Sequence, residues 1–263
     1  MIWELLGAGF LLAFGLMSVI WYISYRQKNA GIVDGVWSLS IALITWMYAL
    51  TGDGDPMRRL LIAGLIGFWG LRLAAFLYWT RIRGKHEEDP RYTQLRDKWG
   101  KKAELRMFLF FQFQGLAALL FSLPALLMSV DPRAGCGALE ILGIGVWAVA
   151  LFGETLADFQ LHRFKKDPAN RGQVCRAGLW NYSRHPNYFF EWLIWVAVSL
   201  AALPSPYGWV ALVCPVAMLH FLFNVTGIPA TEAQALKTKG EGYRQYQRST
   251  SPFVPWFKKK GVS

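Results

Sequence analysis

At 263 residues the chain fits one domain or one membrane bundle better than two. Its composition is 54% hydrophobic and 16% aromatic but only 17% charged, against roughly 25% charged in soluble domains. The mean hydropathy of +0.26 argues against a soluble globule. The net charge of +11 would suit nucleic acid, but the basic residues sit in loops between long apolar runs. No recognition helix or RNA-binding motif accompanies them, so nucleic acid is set aside as a partner. Cys136, Cys175 and Cys214 show no metal spacing and are read as free thiols, with no metal site expected. The N-terminus lacks a basic n-region and a clear cleavage site, so the first apolar run is expected to be retained as a helix.

A hydrocarbon core of about 30 Å takes about 20 apolar residues as helix. Stretches that meet or approach this length run Ile2–Tyr25, Ile32–Thr51, Leu60–Thr80, Met107–Val130, Leu139–Phe159, Tyr188–Leu203 and Tyr207–Asn224. The expected fold is all-α: a polytopic bundle of seven transmembrane helices forming a single membrane domain over residues 1–263. No internal repeat or low-complexity linker divides it.

Loop charge sets the expected topology. Every lysine and arginine except Arg58, Arg59, Arg72 and Arg133 falls on one side, Lys85, Lys259 and Lys260 included. Under the positive-inside rule that side is cytoplasmic, which puts the N-terminus out and the C-terminus in. Topology and anionic headgroups then account for the positive charge.

Ionisable residues at membrane depth are costly and are functional candidates by default. Asp34 opens the second span, Arg72 sits centrally in the third, and Glu191 opens the sixth. Glu154, Asp158 and His162 follow i, i+4, i+8 and share one helix face. Between the fifth and sixth spans runs Arg176-Ala-Gly-Leu-Trp-Asn-Tyr-Ser-Arg-His-Pro-Asn-Tyr-Phe-Phe-Glu191. Pro186 and Asn187 suit a helix start, where backbone N–H groups attract anions. Arg184 and His185 could bind phosphate there, and Asn187 and Glu191, at i and i+4, point the same way. As unaided chemistry this is a binding site for a large, polar, anionic ligand. The tail from Glu241 to Trp256 reads either as an amphipathic helix on the membrane surface or as a lid with Arg244 or Arg248 on phosphate.

Two runs together resemble the steroid 5α-reductase superfamily, and more closely its bacterial branch of unknown function. They are Gly-Leu-Trp-Asn-Tyr-Ser-Arg-His-Pro-Asn-Tyr-Phe-Phe-Glu-Trp and the later Tyr243-Arg-Gln-Tyr-Gln-Arg-Ser-Thr-Ser-Pro-Phe-Val-Pro. The resemblance is specific over residues 151–256, extends to the acids Glu154 and Asp158, and is weaker upstream. It implies a seven-helix enzyme of a bacterial inner (cytoplasmic) membrane. Such an enzyme uses NADPH to reduce the carbon–carbon double bond of a lipophilic enone, such as a 3-oxo-4-ene steroid, and needs no obligate protein partner. By motif position the implied cofactor set is Arg81, Arg83, Glu154, Asp158, Lys165, Trp180, Tyr182, Asn187, Glu191 and Tyr246. Arg184, His185 and Arg248 are added on chemical grounds.

The resemblance also implies a carboxylate at the start of the second span and a tyrosine in the third. Asp34 matches the acid as a shorter side chain. Trp69 stands near the tyrosine's place, three residues before Arg72, so Asp34, Trp69 and Arg72 form the expected catalytic group. An indole donates a hydrogen bond but is a poor acid, so Tyr78 or Tyr188 are alternative hydroxyls. A carboxyl in an apolar bundle is expected to have its pKa raised by desolvation, which would let Asp34 donate a proton. The competing reading is an S-adenosylmethionine-dependent methyltransferase of the isoprenylcysteine or phospholipid type, which shares an Arg-His-Pro-x-Tyr run. A transporter is a second alternative, weakened by the missing inverted repeat.

Overall fold

A computed structural model describes residues 1–83, 88–225 and 227–258; Lys85, Lys259 and Lys260 of the basic side lie outside these. The described chain is all-α. Its helices are α1 (Ile2–Gln27), α2 (Ile32–Thr51), α3 (Pro56–Leu77), α4 (Pro90–Trp99), α5 (Ala103–Phe121), α6 (Leu123–Ser129), α7 (Ala138–Lys166), α8 (Pro186–Ala202), α9 (Val213–His220) and α10 (Ile228–Ser249). Extended pairing among the described residues is confined to an isolated bridge between Ser183 and Ser251. Six helical stretches among the described residues are long and apolar enough to cross a membrane; they overlap every predicted span but the sixth, the fourth only as far as Phe121. That one forms α8, whose 17 residues rise about 26 Å, short of a typical core of about 30 Å.

The chain divides into two compact units, residues 1–140 with 202–211, and residues 141–201 with 212–263.

In the first unit α2 and α3 approach closely at Gly67 and Gly70. A Cβ on Gly70 of α3 would lie 2.7 Å from the Ser38 carbonyl of α2. Gly67 faces the Trp46 ring, whose indole N–H donates to the Ala63 carbonyl at 3.1 Å. Small residues at helix contacts are the usual means of packing within lipid, where water adds no drive for association. Two helix starts follow one rule. Asp55 before Pro56 accepts from the Met57 and Arg58 amides, and Asp89 before Pro90 accepts from the Arg91 amide. The second of these begins α4, a helix that the span reading had left as loop. The predicted fourth span, Met107–Val130, is broken: α5 stops at Phe121 and α6 restarts at Leu123. Pro124 has no N–H to continue the ladder, and the Ser122 hydroxyl turns back to the Leu119 carbonyl at 2.7 Å.

At the end of this unit opposite the basic loops, Arg58, Asp131 and Glu140 are all buried. Arg58 pairs with Glu140, lies 3.4 Å from Asp131, and donates from Nε to the Arg133 carbonyl at 2.7 Å. Arg133 in turn grips Asp131 at 2.5 Å. Burial pushes the Asp131 carboxyl up, but hydrogen bonds from Arg133 and Ser205 and the charge of Arg58 outweigh it and hold the group below the usual carboxylate range.

In the second unit α7 and α8 pack through small residues. Gly143, Ala150 and Ala157 fall about two turns apart on α7, and Ala150 and Ala157 are fully buried. A Cβ on Gly143 would lie 2.8 Å from the Ala197 carbonyl and 3.1 Å from the Ala201 amide. Helix α10 is polar and breaks at Gly240, where φ is 54°.

Gly143→Val drives methyl groups into backbone atoms that cannot yield. It should destabilise the fold by about 1–3 kcal/mol, read as a lower unfolding midpoint in detergent. Because the folded Asp131 pKa is depressed, its contribution is complete at neutral pH and is lost as pH falls below about 4. Asp131→Asn should therefore lower the unfolding midpoint at pH 7, and the gap from the parent protein should narrow in acid.

Candidate functional site

Two polar clusters stand out, one in each unit. In the first, Asp34 occupies the opening turn of α2 with its side chain 19% exposed. Three donors converge on it. The Tyr92 hydroxyl donates to Oδ1 at 2.6 Å, and Arg91 and Arg81 donate to Oδ2 at 2.7 and 3.2 Å. Arg91 also bridges to Asp89 at 2.9 Å. Burial pushes the Asp89 carboxyl up, but the hydrogen bonds and charge of Arg91, with the charge of Arg81, hold it below the usual range. Tyr92 is buried to 3% exposure in an apolar cluster with Met17, Val33, Met107 and Phe111.

This arrangement places a tyrosine, two arginines and an aspartate together at the start of α2. The hydroxyl on Asp34 comes from Tyr92 of α4, not from Tyr78 or Tyr188. Trp69 is fully buried with its ring edge-on to Trp37 at 6.2 Å. Arg72 lies half-buried one turn further along α3. Asp34 acts here as an acceptor of three hydrogen bonds rather than as the donor expected of it. Arg81 sits on Asp34, and Arg83 stacks over Trp79 at 4.0 Å. Tyr92 was missed because it lies in a loop by hydropathy; the Asp89-Pro90 helix start was the signal that could have found it.

The second cluster gathers at the starts of α8 and the last turns of α7. Glu154 and Asp158 are buried on one face of α7, and His162 is exposed. The Asn187 amide donates to Asp158 at 3.3 Å, and Glu191 accepts from the Trp195 indole at 3.0 Å. The predicted set of Glu154, Asp158, Asn187 and Glu191 is thus brought to the paired ends of two helices. Lys165 and Tyr182 lie exposed beyond them.

Other members of the predicted cofactor set hold the loop to the tail. Trp180 donates its indole N–H to the Ala157 carbonyl at 2.9 Å. The buried Tyr246 hydroxyl is shared between the Trp180 carbonyl and the Ser183 carbonyl, the latter at 3.0 Å. Arg184 pairs with Glu232 at 2.8 Å and donates to the Gln247 carbonyl at 2.8 Å. His185 lies 3.2 Å from the same Glu232 and stacks on Tyr188 at 5.3 Å. Arg248 is engaged by Glu241 at 2.8 Å. The tail crosses the loop through the Arg184 amide on the Ser251 carbonyl, the Ser183 hydroxyl on the Phe253 carbonyl and the Trp256 amide on the Tyr182 carbonyl. Glu232, the acid at the centre of this knot, had not been singled out in the sequence.

Long apolar helices with buried carboxylates near their ends define a multi-pass helical membrane protein. The chain belongs to the family described as "Protein of unknown function (DUF1295)", which it matches over residues 20–250. It is 28% identical over 217 residues to Uncharacterized protein C594.04c of Schizosaccharomyces pombe, an alignment covering 73% of this chain and 63% of that relative. The chain therefore spans less than two thirds of the relative's length. No solved structure matches it.

Tyr246→Phe removes the hydroxyl that ties the loop to the tail and leaves two buried carbonyls without it. A loss of about 1–2 kcal/mol is expected, read from chemical or thermal unfolding in detergent.

Proposed function

We propose that this chain is an NADPH-dependent membrane reductase of the steroid 5α-reductase superfamily, acting on the carbon–carbon double bond of a lipophilic enone. The observation that carries the reading is the Tyr92 hydroxyl on Asp34 at 2.6 Å, flanked by two guanidinium groups. The resemblance calls for a carboxylate at the start of the second span and a tyrosine in the third; in this reading Tyr92 of α4 takes the tyrosine's part in place of Tyr78 or Tyr188. The Ser-Arg-His-Pro-Asn-Tyr run and the tail motif add their support, and the second unit's donor set fits the cofactor. Carboxylates on Glu154, Asp158 and Glu191 suit ribose hydroxyls, the Asn187 amide suits a carboxamide, and Lys165 stands exposed for phosphate.

When bound, the cofactor would supply the hydride for the β-carbon, and the α-carbon would take its proton from solvent water. The chain's own residues handle the carbonyl. Asp34 holds Tyr92 and Arg91 in place, and the Tyr92 O–H turns from Asp34 Oδ1 to the substrate oxygen as negative charge develops there. Asp34 keeps its two arginines meanwhile, so the cluster loses no charge pairing. Met107 and Phe111 beside Tyr92 exclude water and strengthen that hydrogen bond.

Within this reading α8 is the sixth of seven spans, the N-terminus faces out, and the C-terminus lies in the cytoplasm of a bacterial inner membrane. Cys136 tests the topology, because it is the exposed thiol among the free cysteines and lies in the loop that carries Arg133. A membrane-impermeant maleimide should label it in intact cells; labelling only after lysis would reverse the orientation.

Tyr92→Phe and Asp34→Asn should each lower enone turnover by about 10²–10³-fold, the range for losing one oxyanion donor. NADPH affinity should stay nearly unchanged in both. Unchanged turnover removes the pair from the mechanism, whereas binding of S-adenosylmethionine in place of NADPH would favour the methyltransferase.

A further inference from the structure

The seam between α1 and α5 carries two cavities outside both polar clusters. At the basic end, a cavity of about 540 Å³ is lined by Tyr25, Arg26, Lys28, Glu88, Arg96 and Glu104. Farther along the same two helices, a cavity of about 160 Å³ lies among Phe10, Ala13, Phe14, Gln112, Gly115 and Leu116. Its walls are apolar, and they close to contact at Gly115, where a Cβ would lie 3.2 Å from Met17. The last turns of α1 also carry Trp21, Tyr22 and Tyr25 beside Arg26 and Lys28, the aromatic and basic signature of a headgroup layer.

The charged cavity is built for a ligand with both signs of charge. Arg96 is 18% exposed and divided between Glu88 at 3.2 Å and Glu104 at 2.5 Å. Glu88 also accepts from the Ala30 amide at 2.8 Å. Two polar atoms remain buried without a partner, Arg96 Nη2, a donor, and Glu104 Oε2, an acceptor. A phosphate answers the first and an ammonium answers the second. A bare phosphate or a purely anionic headgroup would leave the carboxylate unmatched, and a quaternary ammonium offers it no N–H. Lys28 and Arg26 add cations at the rim. Lys28 caps α1 in the left-handed conformation, with φ 52°.

We propose that the charged cavity at the basic end of α1 and α5 holds the headgroup of one phospholipid with a primary amine, an aminoethyl phosphodiester, its acyl chains lying in the surrounding bilayer. The phosphate sits between Arg96 Nη2 and Lys28, and the ammonium donates to Glu104 Oε2. Glu88 adjoins Asp89 and Arg91, so the bound lipid braces the helix start that carries Tyr92 to Asp34.

The test uses the full chain reconstituted in nanodiscs of equal phosphatidylethanolamine, phosphatidylcholine and phosphatidylglycerol, then transferred to detergent, with retained lipid counted by native mass spectrometry. One phosphatidylethanolamine per chain is expected, enriched about tenfold over either other lipid, a ratio worth about 1.4 kcal/mol. Glu104→Gln and Lys28→Asn should each abolish the enrichment. Lys28 is exposed, glutamine keeps the shape of the Glu104 side chain, and asparagine tolerates the left-handed backbone. Equal retention of the three lipids overturns the proposal without recourse to any variant, as does undiminished enrichment in both variants. Soluble O-phosphoethanolamine is the last arm. If it raises the unfolding midpoint as much as the lipid does, the ligand is a small solute and the lipid assignment fails.

Discussion

Asp34 is where three separate pieces of the first unit meet. Its carboxylate sits in the first turn of α2 and receives Arg81 from the turn after α3 and Arg91 and Tyr92 from α4. A carboxylate in partly dry surroundings costs several kcal/mol unless it is matched by charge and hydrogen bonds. Three donors on two oxygens meet that requirement, and in doing so they fix where α4 begins relative to α2. The apolar packing of Tyr92 against Met107 and Phe111 then brings α5 into the same arrangement. One buried charge thus organises the basic end of the unit and, in the proposed reading, positions the group that polarises the substrate.

The second unit uses a comparable device with a different purpose. Glu232 receives Arg184, His185 and Gln247, joining the loop before α8 to α10 and the tail. Residues that looked like phosphate ligands by composition are spent on this closure in the observed conformation. Phe253 packs against Phe189, Trp192 and Phe223, so the tail is also held by an aromatic cluster. A tail held by charge, backbone bonds and aromatic packing together is a structural part of the unit rather than a loose appendage.

How much of this was legible in the sequence depended on the range of the interaction. Apolar runs of membrane length are a local signal, and α2 appears with the predicted bounds Ile32–Thr51. Glu154 and Asp158 were legible because helical periodicity placed them on one face before any fold was known. The break at Ser122 was missed because hydropathy averages across Pro124. Tyr92 and Glu232 were missed for a deeper reason. Each meets its partners at long sequence separation, 58 residues from Tyr92 to Asp34 and 47 from His185 to Glu232, and no local pattern carries such a pairing.

The shortness of α8 has a mechanical consequence. It packs side by side with α7, which at 29 residues is far longer than a bilayer core requires. If α8 crosses the membrane as proposed, a 17-residue helix matches the same hydrocarbon thickness only where the lipid sheet is pinched beside it or its neighbour leans. Either adjustment draws water and headgroups down toward Asn187 and Asp158, shortening the path that a charged molecule from the aqueous phase must travel to reach them. Hydrophobic mismatch, rather than any pore, would then make that amide and carboxylate accessible, and the composition of the surrounding membrane would set how accessible they are.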